Sequence, residues 1–308
     1  MRFALLICRA ERAIVKIDKS SQRKTNMNSS QPLRFIGGTA SPYTQKMLAL
    51  LRYRRVNAAV LWGQPEAICK ELGVTPPRPI LMPTFLFEGD NGLEAVTDTT
   101  PIIRRIEAED NARSVLPEDP ALAFIDYLIE DFADEWVTKY MFHYRWYPEA
   151  DAAHTSTLLP LCFGVAMPNN QVEAFTSHVG ERQISRLYVV GSNDTTAPVI
   201  DASYKRFLIA MEAHLGAQHF MLGARPAAGD FGLFGQLTQG VGFDPTPRAM
   251  AHELSPRTVA WVDATRDLSG LEPEAADWTT LEDQPDTLKG LLAEIGRVYT
   301  PAQLANAA

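Results

Sequence analysis

Apolar and polar positions along the chain fall into two regimes. Between Leu33 and Glu109, apolar runs of strand length alternate with stretches of helical period; beyond Asp119 the strand pattern all but vanishes and helical spacing takes over. Leu33, Phe35 and the β-branched Ile36 predict a strand, which Gly37 and Gly38 turn. Ser41 is a good N-cap and Pro42 a good first helical residue, and Met47, Leu48, Leu50, Leu51 and Val56 then recur at roughly helical spacing, interleaved with Lys46, Arg52, Arg54 and Arg55. Residues 57–62 read as a second strand and 65–72 as a short helix closed by Gly73. The proline-rich stretch 75–79 cannot be regular structure. A strand over 80–87 carries Pro83, which places it at an edge or bulge and allows a cis bond. Asp90-Asn91-Gly92 turns the chain into a hairpin partner at 93–96, and Thr97, Asp98 and Thr99 offer caps for a helix to about residue 109.

A polar linker at 110–119 marks the expected domain boundary. From Pro120 a long helix is predicted through roughly Tyr147, with Leu122, Ile125, Leu128, Ile129, Phe132, Trp136 and Tyr140 on one face. Pro148, Pro160 and Pro168 interrupt the next segment, and helices are predicted at 171–190, 201–215, 247–254, 256–267 and 285–298. The division is thus an N-terminal extension (1–31), an α/β domain (32–110) and an all-helical domain (118–308).

Charge modifies this picture at one end. The formal net charge of −8 is uneven: residues 1–26 hold seven Lys/Arg against two acids, leaving 22 basic and 35 acidic residues elsewhere, so nucleic acid is not an expected partner. The opening apolar run is too short to span a membrane. Its basic, acid-poor character suits a mitochondrial address; the alternatives are a start at Met27 or a disordered tail. Cys8, Cys69 and Cys162 are far apart, with no CxxC or Cys/His cluster, so neither a disulfide framework nor a metal site is signalled and a reducing, cytoplasmic compartment is expected.

The helix start at Ser41-Pro42-Tyr43, the proline-led strand at Met82-Pro83 and the acidic-hydroxyl pair Asp98-Thr99, in this order and spacing, resemble the thioredoxin-like N-terminal domain of the glutathione transferase superfamily. A second landmark, residues 218–235, resembles that superfamily's buried C-terminal helix; Asp230 fits its acidic capping box, whereas Ala227 stands where Ser or Thr is usual, so one of two reciprocal capping bonds should be missing. His219 and Asp230 are read as structural. The stretch after about residue 270 exceeds the usual family core.

The resemblance implies a glutathione transferase fold, a thioredoxin-like α/β domain followed by an all-α domain. It also implies glutathione as co-substrate, with no metal. Ser41 would stabilise the thiolate for attack on an electrophilic carbon or cleavage of a carbon–oxygen bond in an apolar substrate, the Met82 backbone beside a cis Pro83 would hold the cysteinyl part, and Asp98 and Thr99 the γ-glutamyl end. Thr39 and Tyr43 are alternative hydroxyl donors. With no cysteine at the Ser41 position, a glutaredoxin-like or dehydroascorbate-reducing activity is disfavoured. Residues of the aromatic stretch 135–147, namely Trp136, Tyr140 and His143, are candidates with Tyr43 for an acceptor pocket receiving an apolar electrophile; the plainer reading is core and interface. A homodimer is a further expectation. The rival to a transferase is a noncatalytic binding or assembly module, as in metaxin-like and chloride-channel-like relatives.

Overall fold

Phe35 and Ile36 are both fully buried although neighbouring side chains of a strand point to opposite faces, so the strand that carries them must be covered on both sides. In the computed structural model, which describes residues 31–90, 92–109 and 112–307, that strand is β1 (Leu33–Gly37). The expectations for residues 1–26 lie outside the described residues. Helix α1 (Pro42–Tyr53) crosses from β1 to the parallel strand β2 (Ala58–Trp62), followed by α2 (Pro65–Glu71). Strands β3 (Thr84–Gly89) and β4 (Gly92–Val96) form an antiparallel hairpin, and α3 (Thr99–Glu109) returns to bury Ile102, Ile103 and Ile106. The sheet order is β2-β1-β3-β4, with β3 antiparallel to β1. This is a thioredoxin-like domain.

The strand expected at 80–87 starts only at Thr84. Pro79 and Pro83, both after cis bonds, lack ladder donors and leave Ile80 and Leu81 exposed in an irregular segment. The linker also differs from expectation: Val115 is fully buried, Ala228 N–H donates to its carbonyl (2.9 Å), and Arg113 Nε donates to the Tyr53 carbonyl.

The long helix predicted from Pro120 is present in three parts: α4 (Pro120–Phe132), a π-helical turn (Ala133–Val137) and α5 (Thr138–Trp146). Asp119 caps it, its carboxylate accepting from Ala121 and Leu122 N–H at 2.9 Å. The chain continues through α6 (Glu149–Leu158), α7 (Asn169–Ile184), α8 (Ala197–Leu215), α9 (Ala228–Leu237), a second π turn (Thr238–Phe243), α10 (Pro245–Leu254), α11 (Pro256–Thr265) and α12 (Asp286–Ala307). The helix expected at 171–190 gives way to a 3₁₀ turn at Leu187–Val190, and the last helix runs past its expected end through Pro301. Helix α9 is buried along its whole length between α1 and α4, so one apolar core runs from Phe35 and Phe85 through Phe132 and Phe231 to Leu291. Among the described residues no helix is long and apolar enough to cross a membrane.

Candidate functional site

Strand register brings the three predicted blocks to one end of the sheet. Ile36 pairs with Thr84, so the Gly37–Ser41 turn leaves β1 beside the point where Pro83 enters β3. Phe85 pairs with Val96, which puts Thr97 to Thr99 at the same end, and Thr97 Oγ1 donates to the Pro83 carbonyl (3.3 Å).

Ser41 is the N-cap of α1: its Oγ accepts from Thr44 N–H (3.2 Å), and its own N–H donates to the Gly38 carbonyl (3.0 Å). Because the hydroxyl acts only as an acceptor in that bond, its proton is available to a ligand, at the positive end of a 12-residue helix. The side chain is half-buried. Met82, also half-buried, precedes Pro83 across a cis bond. Asp98 is exposed and adopts φ 82°, in the left-handed region, with Oδ1 accepting from Thr100 N–H (3.3 Å) at the start of α3.

Thr99 is buried, and behind it lies an ion cluster that sequence reasoning missed. Lys46 Nζ donates to Thr99 Oγ1 (3.2 Å), Glu130 Oε1 (2.9 Å) and Asp134 Oδ2 (2.6 Å), with Lys46 fully buried. Burial opposes the ammonium, yet Asp134 and Glu130 outweigh it and hold Lys46 above its ordinary value. Burial pushes Asp134 up to about 6 against the pull of Lys46, and its Oδ1 is buried with no hydrogen-bond partner among the described residues. Glu130 is held low: burial works against its charge, but Lys46 and Arg104 prevail. The spacing of Glu130 and Asp134, four apart on a helix otherwise read by its apolar residues, was the available signal.

Of the candidate acceptor residues, Tyr43 alone touches this region. Its hydroxyl donates to the Asp134 carbonyl (2.6 Å) within the first π turn, and burial, then the Asp134 charge, push it up to about 12. Trp136 Nε1 donates to Tyr140 Oη (2.9 Å), which is bonded to Ser203 Oγ (2.7 Å), while the Trp136 ring meets Tyr299. His143 is buried with Nδ1 on Ser192 Oγ (2.7 Å), and burial lowers its pKa. The hydrogen bonds and ring contacts of these three lie within the helical domain. The segment after α6 does approach the turn: Thr39 N–H donates to the Cys162 carbonyl (3.4 Å), and a Cβ on Gly38 would lie 2.7 Å from the Phe163 ring.

No protein-family model matches the chain, and no curated protein does. Solved structures similar to it include a glutathione-transferase-like protein of Pseudomonas syringae (17% identity, 76% of this chain and 66% of that one, TM-score 0.45). Others are a glutathione transferase of Phanerochaete chrysosporium (17%, 78% and 98%, TM-score 0.48) and one of Methylobacterium radiotolerans in complex with glutathione sulfonate (16%, 81% and 99%, TM-score 0.44). The chain spans just under two thirds of the first of these. By its own strand order, its proline-led β3 and the helical domain that packs on α1, the chain has the glutathione transferase fold.

Proposed function

We propose that the chain binds glutathione at the end of the sheet where the Ser41 turn, the Met82–Pro83 segment and the Asp98–Thr99 pair meet, and transfers its thiolate to an electrophilic carbon of an apolar substrate. The observation that carries this reading is the Ser41 hydroxyl, whose proton meets no acceptor among the described residues, at the N-terminus of α1. A hydroxyl donating to sulfur favours the thiolate over the thiol, each unit of pKa lowering being worth about 1.4 kcal/mol. The thiol proton leaves to solvent; the sulfur forms its bond to carbon as the leaving group departs with the bonding pair. The amide and hydroxyl of Thr99 would take the γ-glutamyl carboxylate, and Asp98 the ammonium. Lys46 supports this role, because a Thr99 Oγ1 that accepts from Nζ turns its own proton elsewhere.

The test is Ser41→Ala. Glutathione affinity, measured by calorimetry, should change little, while the ultraviolet absorbance of the bound thiolate near neutral pH falls and kcat drops by about 10²-fold, the typical cost of one lost donor to a developing or stabilised anion. Full thiolate absorbance in the variant would reduce Ser41 to a helix cap. A parent protein that binds no glutathione at millimolar concentration would leave the noncatalytic binding or assembly module standing.

A further inference from the structure

The turn that carries Ser41 is held from the helical domain by a buried arginine. Arg145, near the end of α5, donates through Nε to Asp244 Oδ1 (2.9 Å) and Oδ2 (3.1 Å), through Nη2 to Asp244 Oδ2 (2.9 Å) and Gln239 Oε1 (2.8 Å), and through Nη1 to the Ala40 carbonyl (3.1 Å). Its guanidinium lies over the Phe243 ring, and Asp244 accepts a further bond from Thr155 Oγ1 (3.3 Å). Gln239 Nε2 reaches the Thr39 carbonyl (3.5 Å), which Gln45 also holds (2.9 Å). The carbonyls of both residues before Ser41 are therefore gripped by side chains seated around the second π turn and α5.

We propose that Arg145, assisted by Gln239, is a positioning residue for Ser41: it fixes the Ala40–Ser41 peptide plane and so the place from which the hydroxyl donates. This rests on the glutathione reading above. Arg145 is engaged by the buried Asp244, so what it gives the turn is a fixed direction through its bond to the Ala40 carbonyl. A buried ion pair is a weak source of stability, since apolar residues of similar volume often serve as well. A planar guanidinium, by contrast, fixes several directions at once, which lysine cannot do.

Three variants test this: Arg145→Lys, which keeps a charge for Asp244 without the fork; Arg145→Met with Asp244→Leu, which removes both charges and strands neither; and Gln239→Leu. Each should remain folded by circular dichroism and bind glutathione as the parent does. In each, the pH at which the bound thiolate forms should rise and kcat should fall, by about 10- to 100-fold for the two Arg145 variants and less for Gln239→Leu, as expected of a displaced catalytic group. A folded double variant with the parent's thiolate midpoint and kcat overturns the proposal. So does a loss of kcat that follows melting temperature across the variants with the midpoint unmoved. Failure of the underlying reading is seen separately, in a parent that binds no glutathione.

Discussion

Asp134 shows what a single carboxyl does when two acids share one buried lysine. One oxygen accepts from Lys46 Nζ at 2.6 Å while the other is buried without a partner among the described residues, and burial raises its pKa to about 6. An unfolded aspartate titrates near ~3.9, so between about pH 4 and 6 the folded chain holds the proton more tightly. The stability this contributes is complete below the unfolded value and is lost as pH rises through about 6. Asp134→Asn should remove a share of on the order of 1–3 kcal/mol from the fall in stability across that window, read from denaturant unfolding at a series of pH values. Asp230, pushed up by burial to about 7, adds a fall of the same sign and keeps the variant's profile from becoming flat. An unchanged profile would mean that another group carries the proton. Neither Lys46 nor Arg145 was legible in the sequence as a buried charge. Lys46 stood among interleaved basic positions, and its carboxylates lie 84 and 88 residues away; Arg145 finds Ala40 and Asp244 at separations of 105 and 99. Ser41 was legible because its partner is three residues on.

Helix α9 is the element on which the two domains meet, and its glycines make the approach close. A Cβ on Gly229 would stand 3.0 Å from the Asp126 carbonyl, one on Gly232 3.2 Å from the Ala133 Cβ, and one on Gly235 2.5 Å from the Pro42 carbonyl and 2.9 Å from the Lys46 Cβ. At Gly235 the obstruction is backbone, which cannot swing aside. Gly235→Ala should therefore cost about 1–3 kcal/mol or more as α1 and α9 are forced apart, read as a drop of several degrees in melting temperature; a variant melting with the parent would mean the helices separate freely. The start of this helix behaves as its sequence implied. Asp230 Oδ2 accepts from Ala227 N–H and Oδ1 from Met221 N–H, both at 2.9 Å, and Ala227 has no oxygen to return the bond. The π turns at Ala133–Val137 and Thr238–Phe243 were not foreseen, because one widened turn leaves an apolar stripe that still reads as continuous helix. They are nonetheless where Tyr43 finds the Asp134 carbonyl and where Gln239 reaches the turn before Ser41.

At the scale of the molecule, the division into a thioredoxin-like and a helical part was readable from the change of apolar period, but the packing of the two as one core was not, since no local pattern records which helix face meets which. The tail after residue 270 is integral to that core. Helix α12 buries Leu288, Leu291, Ile295 and Tyr299, Tyr299 donates to Asp131, and Glu294 accepts from Ser203 Oγ (3.0 Å) and Arg206 Nε (2.9 Å). Four such side chains at about 1.5–3 kcal/mol each amount to a sum comparable with the whole stability of an ordinary domain, about 5–15 kcal/mol. A chain ending at Gln284 should lose cooperative thermal unfolding, measured by circular dichroism; a melting temperature within a degree or two of the parent would show the helix to be an ornament. The far-separated partners of α1 also set an order of events during synthesis. When the thioredoxin-like strands emerge from the ribosome, the acids that neutralise Lys46 have not yet followed them out, nor has the glycine helix that covers it, nor Ser269 and Glu272, to which Arg55 is bonded across 214 and 217 residues. The domain that carries Ser41 is therefore made before the groups that complete it.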